Sequence, residues 1–265
     1  MPCQRVLQEP CSGALAAAGR EPYLPIVLAK IMLSPQYKTW PIPTDHCRQV
    51  TASSCVAQVL GQGQSAITQV MDLGCGAGNS VDLFRRLNPH INWVGLDIEA
   101  SPEVGQRQRQ DATFATFDGI HIPFADQHFD LIFTNQALEH VRHPRPLLLE
   151  VQRVLRPGGY FVGSTSQLEP YHSFSTWNYT PYGFQLLIEE AGLELVEIRP
   201  SIDALTLILR SGLGKPKVLG RYWEHESPLN QVINLWGKLS RQSVQAINLK
   251  KLLFCGQFCF VAQKP

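Results

Sequence analysis

The chain has little charge and no long apolar run. Leu24–Leu33 is apolar but short, and Lys30 interrupts it, so no membrane span is expected. A secretory leader is not expected either, because Glu9 and Pro10 break the region ahead of the small residues Gly13–Gly19. Charged residues make up 17% and the net charge is +1, with no basic block. That weighs against a phosphate backbone, and hence nucleic acid, as the main partner. The seven cysteines are odd in number and scattered from Cys3 to Cys259 without zinc-type pairs. They read as reduced, mostly buried thiols, the usage of a cytoplasmic protein. No internal repeat and no low-complexity segment appears.

What is present suits one α/β domain with extra segments, since 44% of the 265 residues are hydrophobic. The organising stretch is Gln69–Ser80, Q-V-M-D-L-G-C-G-A-G-N-S. Val70, Met71 and Leu73 form an apolar run of strand length, and Gly74, Gly76 and Gly78 follow at every second position. Asn79 or Ser80 can cap a helix with apolar positions at Val81, Phe84 and Leu87. A strand, a glycine turn and a helix start bring a ligand close to the backbone and face it with N–H donors. A dinucleotide turn, G-x-G-x-x-G, would want its third glycine where Asn79 stands. Here that glycine comes one residue early, and Asp72 precedes the turn.

Before this stretch, residues 1–66 form an N-terminal segment. It has a short helix candidate at Pro25–Met32 and a second from about Thr44 to Leu60, read as amphipathic cover over the cleft. From residue 67 to 265 strands alternate with helices. Strands are expected at Ile91–Leu96, Thr113–Phe117, Asp130–Thr134, Tyr160–Thr165 and Leu193–Ile198, with a final one at Leu252–Ala262. Leu147, Val151, Val154 and Leu155 mark one helix, and Phe184, Leu187, Ile188 and Ala191 another. A helical insert is expected over about 202–249, with Leu229, Val232, Ile233, Trp236 and Leu239 on one helix face. Such alternation predicts a doubly wound, mostly parallel sheet with helices on both faces.

Asp97 ends the second strand, 19 residues beyond Gly78, where a carboxylate can accept both hydroxyls of a ribose. Ile98 follows it. Asp118 ends the third strand and can accept an adenine amino hydrogen, with the Gly119 or Ile120 N–H facing a ring nitrogen. The run from Asp118 to Asp130 reads D-x-x-x-x-P-F-x-D-x-x-F-D, and V-L-R-P-G-G-Y precedes the fifth strand. Together with the Asp72–glycine turn, these residues resemble the class I S-adenosylmethionine (SAM)-dependent methyltransferases. The resemblance is to the bacterial type that includes the menaquinone and ubiquinone biosynthesis enzymes, and it covers about Val70–Thr165. It implies a Rossmann-like, seven-stranded sheet with an antiparallel last strand. It implies SAM as cofactor, met by Asp72, Gly74, Cys75, Gly76, Gly78, Asp97, Ile98, Asp118, Gly119 and Asn135.

Gln136-Ala-Leu-Glu139-His140 follows Asn135. Some quinone hydroxyl methyltransferases carry E-x-x-E-H there and hold a divalent metal. With Gln136 in place of the first carboxylate, no metal is expected. His140 reads either as general base for a hydroxyl, since imidazole titrates near neutral pH, or, with Glu139, as a residue that structures the loop by hydrogen bonds. Tyr171, His172, Trp177 and Tyr179 belong to an aromatic-rich stretch expected either to meet the substrate or to pack the insert onto the domain. The expected function is methyl transfer to a small-molecule acceptor, as in secondary metabolism, at a hydroxyl oxygen. The alternatives are a SAM-binding sensor or subunit without transferase activity and an NAD-dependent oxidoreductase, which Asn79 disfavours. The residues name neither the acceptor nor the oligomeric state.

Overall fold

The computed structural model describes residues 40–61 and 67–265. The helix expected at Pro25–Met32 lies outside them. Residues from Pro41 to the C-terminus make one compact unit. Its strands are β1 (Gln69–Leu73), β2 (Asn92–Ile98), β3 (Thr113–Phe117), β4 (Phe129–Asn135), β5 (Leu155–Ser166), β6 (Glu194–Pro200) and β7 (Gln257–Gln263). They form one sheet in the order β3-β2-β1-β4-β5-β7-β6. The β2–β3, β1–β2, β1–β4 and β4–β5 pairs are parallel, and β7 runs antiparallel to both β5 and β6. This is the doubly wound, seven-stranded sheet that the strand pattern and the resemblance implied.

Period-2 alternation sorts the core onto the two faces. Val70, Leu131, Phe133, Val162 and Val261 face one cluster, which α1 (Ala52–Gly61) and α2 (Ser80–Leu87) close with Cys55, Val56, Val59, Val81 and Phe84. On the other side Phe161, Phe258 and Phe260 are fully buried, and Phe184 of α5 (Pro181–Glu190) stacks at 4.6 Å from Phe260. α4 (Pro144–Val154) buries Leu147, Leu148, Val151 and Val154; of the residues whose spacing marked a helix, Leu147, Val151 and Val154 lie in it and Leu155 opens β5 instead.

Three boundaries differ from the sequence pattern. α1 starts at Ala52 rather than near Thr44, because Thr51 caps it and the preceding residues run extended beside β6, with Ile198 N–H donating to Pro41 O and Val50 N–H to Pro200 O. β5 begins at Leu155, ahead of the glycines. Arg156–Gly159 is a bulge within it, with Gly158 at φ +76° and its N–H bonded to Lys264 O. Leu252 is helical, and β7 starts only at Gln257. Ser243 caps α9 (Val244–Phe254), and the chain then turns at Gly256, where an added Cβ would lie 2.3 Å from Leu207.

The stretch between β6 and β7 is helical: α6 (Ala204–Gly212), α7 (Lys217–Gly220), α8 (Pro228–Leu239) and α9. It is tied down by polar groups. Asp203 caps α6 at Thr206 N–H, Asn230 donates to Ser201 O, and fully buried Lys251 pairs with Glu226 and donates to Cys47 O. α3 is one turn, Pro102–Gly105, after β2. No helix among the described residues is long and apolar enough to cross a membrane.

Candidate functional site

The parallel registers place the C-terminal ends of β1 to β5 along one edge, where Leu73 pairs with Leu96, Ile98 with Phe117, and Asn135 with Ser164. In such sheets ligands gather at the crevice beyond that edge. The glycine turn fills it. Gly74, Gly76 and Gly78 all have positive φ, at 76°, 50° and 81°. A Cβ on Gly74 would sit 2.3 Å from Ala137 Cβ, and one on Gly78 would sit 2.7 Å from the Phe114 ring. Neither position tolerates a side chain.

Most of the turn's N–H groups are already used. Gly74 and Cys75 donate to Leu96 O, Gly78 donates to Cys75 O, and Gly76 donates to the Asp97 carboxylate at 2.7 Å. Ala77, Asn79 and Ser80 keep N–H groups without a partner among the described residues. They are the orphan donors of the α2 start, so an anion at this turn meets them and not the earlier glycines.

Two buried carboxylates flank the turn. Asp72 accepts from Ser80 Oγ at 2.5 Å. Trp93 Nε1, which can only donate, gives its hydrogen to Ser80 Oγ at 3.0 Å, so the hydroxyl hydrogen is committed to Asp72. Burial pushes the Asp72 carboxyl up to about 7, against the Ser80 hydrogen bond, and the Asp97 charge adds to the rise. Asp97 accepts from Gly76 and Ile98 N–H, and burial raises it too. Cys75 is buried beside both acids and pushed up to about 12, so it packs as a neutral thiol.

Arg107, which the sequence pattern did not single out, pins the turn. Its guanidinium donates twice to Gly76 O, at 2.9 and 2.6 Å, and lies 3.9 Å over the Phe114 ring. No local signal marks it, because its partner is 31 residues away.

Asp118 ends β3 as expected, but its carboxylate is engaged by its own loop. Ile120 and His121 N–H and His121 Nδ1 donate to it, and the His121 ring first among them holds it down at about 2. Gly119 follows at φ +90°. The rest of the P-F-x-D-x-x-F-D pattern is structural. Phe124 packs edge-on to buried Phe129 at 5.0 Å, Asp126 pairs with Arg153, and Asp130 accepts from Thr68 and Gln69 N–H at the start of β1.

Asn135 is exposed at the end of β4, its Oδ1 accepting from Ser164 Oγ at 2.8 Å. The next turn, Leu138–His140, carries the aromatic stretch. Thr176 and Trp177 N–H donate to Glu139 O, and Trp177 Nε1 donates to Val141 O. That fastening sets His172 edge-on to His140, ring centroids 5.4 Å apart. Glu139 is fully buried beneath them, accepting from the Thr165 and Ser166 hydroxyls, and burial pushes it up to about 7. Ligand atoms of Glu139, His140 and His172 lie within 4.8 Å of one another, a donor set that a borderline divalent cation accepts. His172, which only tertiary structure brings there, adds a ligand to those that Glu139 and His140 supply from the Gln136–His140 run. Tyr171 stands 77% exposed. Tyr179 corrects the expectation of a substrate contact: it is buried, edge-on to Phe184, and its hydroxyl donates to Leu138 O, so it supports the turn from below.

Residues 71–163 match the family described as "Methyltransferase domain". A phthiotriol/phenolphthiotriol dimycocerosates methyltransferase of Mycobacterium tuberculosis is 31% identical over 112 residues, 41% of each chain. A demethylmenaquinone methyltransferase of Renibacterium salmoninarum is 32% identical over 115 residues, 43% of this chain and 47% of its own. The alignment thus spans less than half the length of these curated relatives. Among solved structures, the [4+2]-cyclase SpnF has a similar fold, with a TM-score of 0.52 over 87% of this chain and 90% of that one, at 15% identity.

Proposed function

We propose, from the premise that residues 71–163 match a methyltransferase-domain family, that the chain is a SAM-dependent methyltransferase acting on a small-molecule acceptor, at a hydroxyl oxygen. One observation carries the reading: a turn closed to any side chain at Gly74 and Gly78 lies between two buried acids, Asp72 and Asp97, with three unpaired N–H groups at the following helix start. That set suits a ligand with an ammonium, a carboxylate and a ribose. When bound, SAM supplies a methyl group made electrophilic by its sulfonium.

Asp72 faces the ammonium, and Ala77, Asn79 and Ser80 N–H face the carboxylate. Asp97 keeps lone pairs for the ribose hydroxyls beyond those given to Gly76 and Ile98. Asp118 and Gly119 stand at the adenine end, and Asn135 beside the methionine part. An acceptor held in line needs little more, since positioning alone can supply up to roughly 7–11 kcal/mol. His140 takes the proton of the acceptor hydroxyl, and a base in that role adds on the order of 10²–10⁴ in rate. His172 and Trp177, fastened beside it, contact the acceptor.

The test pairs calorimetry with transfer. Purified protein should bind SAM and its demethylated product, and should move label from methyl-labelled SAM into a metabolite extract. Binding without transfer to any fraction would make the chain a SAM-binding sensor or subunit. Loss of SAM binding with the fold intact would end the proposal.

A further inference from the structure

The helical insert is built inside out. On α8 the residues at helical spacing Val232, Leu235, Trp236 and Leu239 face solvent, Leu239 at 72% exposure. The same helix buries Asn230 and Gly237, the latter against Ile247. On α6, Leu205, Ile208 and Leu209 are about half exposed and Leu213 continues their row at 67%, while Ala204, Thr206 and Leu207 are buried. Two packed helices therefore both turn an apolar stripe outward, which isolated surface leucines would not do.

The charge of the insert is just as uneven. Residues 204–254 hold eight Lys or Arg and two Asp or Glu, whereas the other 214 residues hold 15 and 20. Lys251 is buried on Glu226. Lys215, Lys217, Arg221, Lys238 and Arg241 are exposed and make no ion pair among the described residues. Exposed apolar stripes with unpaired cations on and beside their helices are complementary to an anionic interface with a hydrocarbon interior. A second copy of this chain would bring two such cationic rims together. Residues 1–39, with four Lys or Arg and two Glu, do not complement it either.

A groove of about 530 Å³ lies between α6 and the segment that follows β5. Ile208 and Ala204 line one side of it, and Leu168, Glu169 and Pro170 the other. Glu169 lies 3.7 Å from His172, the ring set against His140.

We propose that the outer face of α6 and α8 docks on an anionic lipid surface, and that the methyl acceptor is a lipid-soluble amphiphile reaching His140 and His172 along the groove. The second half rests on the methyltransferase reading; the docking does not.

The test uses the full chain with sedimentable vesicles of phosphatidylcholine alone, or of phosphatidylcholine and phosphatidylglycerol in equal parts. Partition onto the anionic vesicles should be at least about tenfold tighter and fall as salt rises. Lys215→Gln/Lys217→Gln/Lys238→Gln should weaken it on the order of 10²-fold, at about 1 kcal/mol for each cation near the surface. Trp236→Ser/Leu239→Ser should weaken it at least about tenfold through lost apolar burial. Both variants should bind SAM in calorimetry like the parent, which shows that they fold.

No partition, or equal partition of parent and variants, would overturn the docking. So would a dimer in light scattering that Trp236→Ser/Leu239→Ser converts to monomer while vesicle partition stays unchanged. Vesicle binding in a protein that ignores SAM would keep the docking and remove the methyltransferase reading. Label recovered in the solvent-extractable lipid fraction supports the acceptor class, and label confined to the water-soluble fraction overturns it.

Discussion

On the proposed function, Asp72 should make SAM binding a proton-linked event. The carboxyl is buried and held at about 7, so near neutrality about half of the ligand-free molecules carry it protonated. An ammonium placed against it favours the ionised form and returns it toward its ordinary value of 3.8. Binding at pH 7 should then release about half a proton, and at pH 6 about nine-tenths of one. Affinity should be about fivefold higher at pH 7 than at pH 6, the ratio of the ionised fractions. Calorimetry in buffers of different ionisation enthalpy reads the proton count directly. Asp72→Asn can still accept from Ser80 Oγ but cannot ionise. It should bind about 10- to 10²-fold more weakly, the cost of losing a hydrogen bond to a charged group, and should lose the dependence between pH 6 and 7. The ligand's own amine titrates higher, near 7.7–8.0, and its signal would persist in the variant. Proton release near zero at pH 7 in the parent, or an unchanged pH profile in Asp72→Asn, would refute the assignment of Asp72 to the ammonium.

Other outcomes follow from the same geometry. Gly74→Ala forces a Cβ to within 2.3 Å of Ala137 at positive φ, and should cost about 1–3 kcal/mol in denaturant unfolding along with SAM binding. Unchanged values for both would contradict the close approach of Ala137 to this turn. The ligand-free protein should lose thermal stability as pH rises from about 4 to 7. Asp72 and Glu139 are both raised to about 7, so the folded chain holds protons that the unfolded chain releases. A melting temperature that climbs across that window would contradict it. His140→Ala should lower turnover by on the order of 10²–10⁴ with SAM affinity kept, and turnover within twofold of the parent's would remove the base role. Chelation should leave turnover unchanged. Activity lost on chelation and restored by a divalent transition metal would reassign Glu139, His140 and His172 to that ion.

Much of this protein was legible from local pattern alone. Strand and helix periodicity, the positive-φ glycines and the acids at strand ends depend on residues within a few positions of one another. They specified the sheet, the turn and the positions of Asp72 and Asp97. What tertiary structure decided lies in contacts between distant segments, for which a single chain carries no periodic signal. Arg107 reaches Gly76 across 31 residues, and Trp177 fastens to Val141 across 36. Tyr179 goes under the Leu138–His140 turn while His172 comes to its surface, although both sit in one aromatic stretch. The helix at Pro228–Leu239 is the sharpest case. Its spacing determined that it would be amphipathic, but which face turned inward depended on Asn230 and Gly237 finding partners in the folded chain. A helical stripe records that two faces differ, and only the packing around it determines which of them meets solvent.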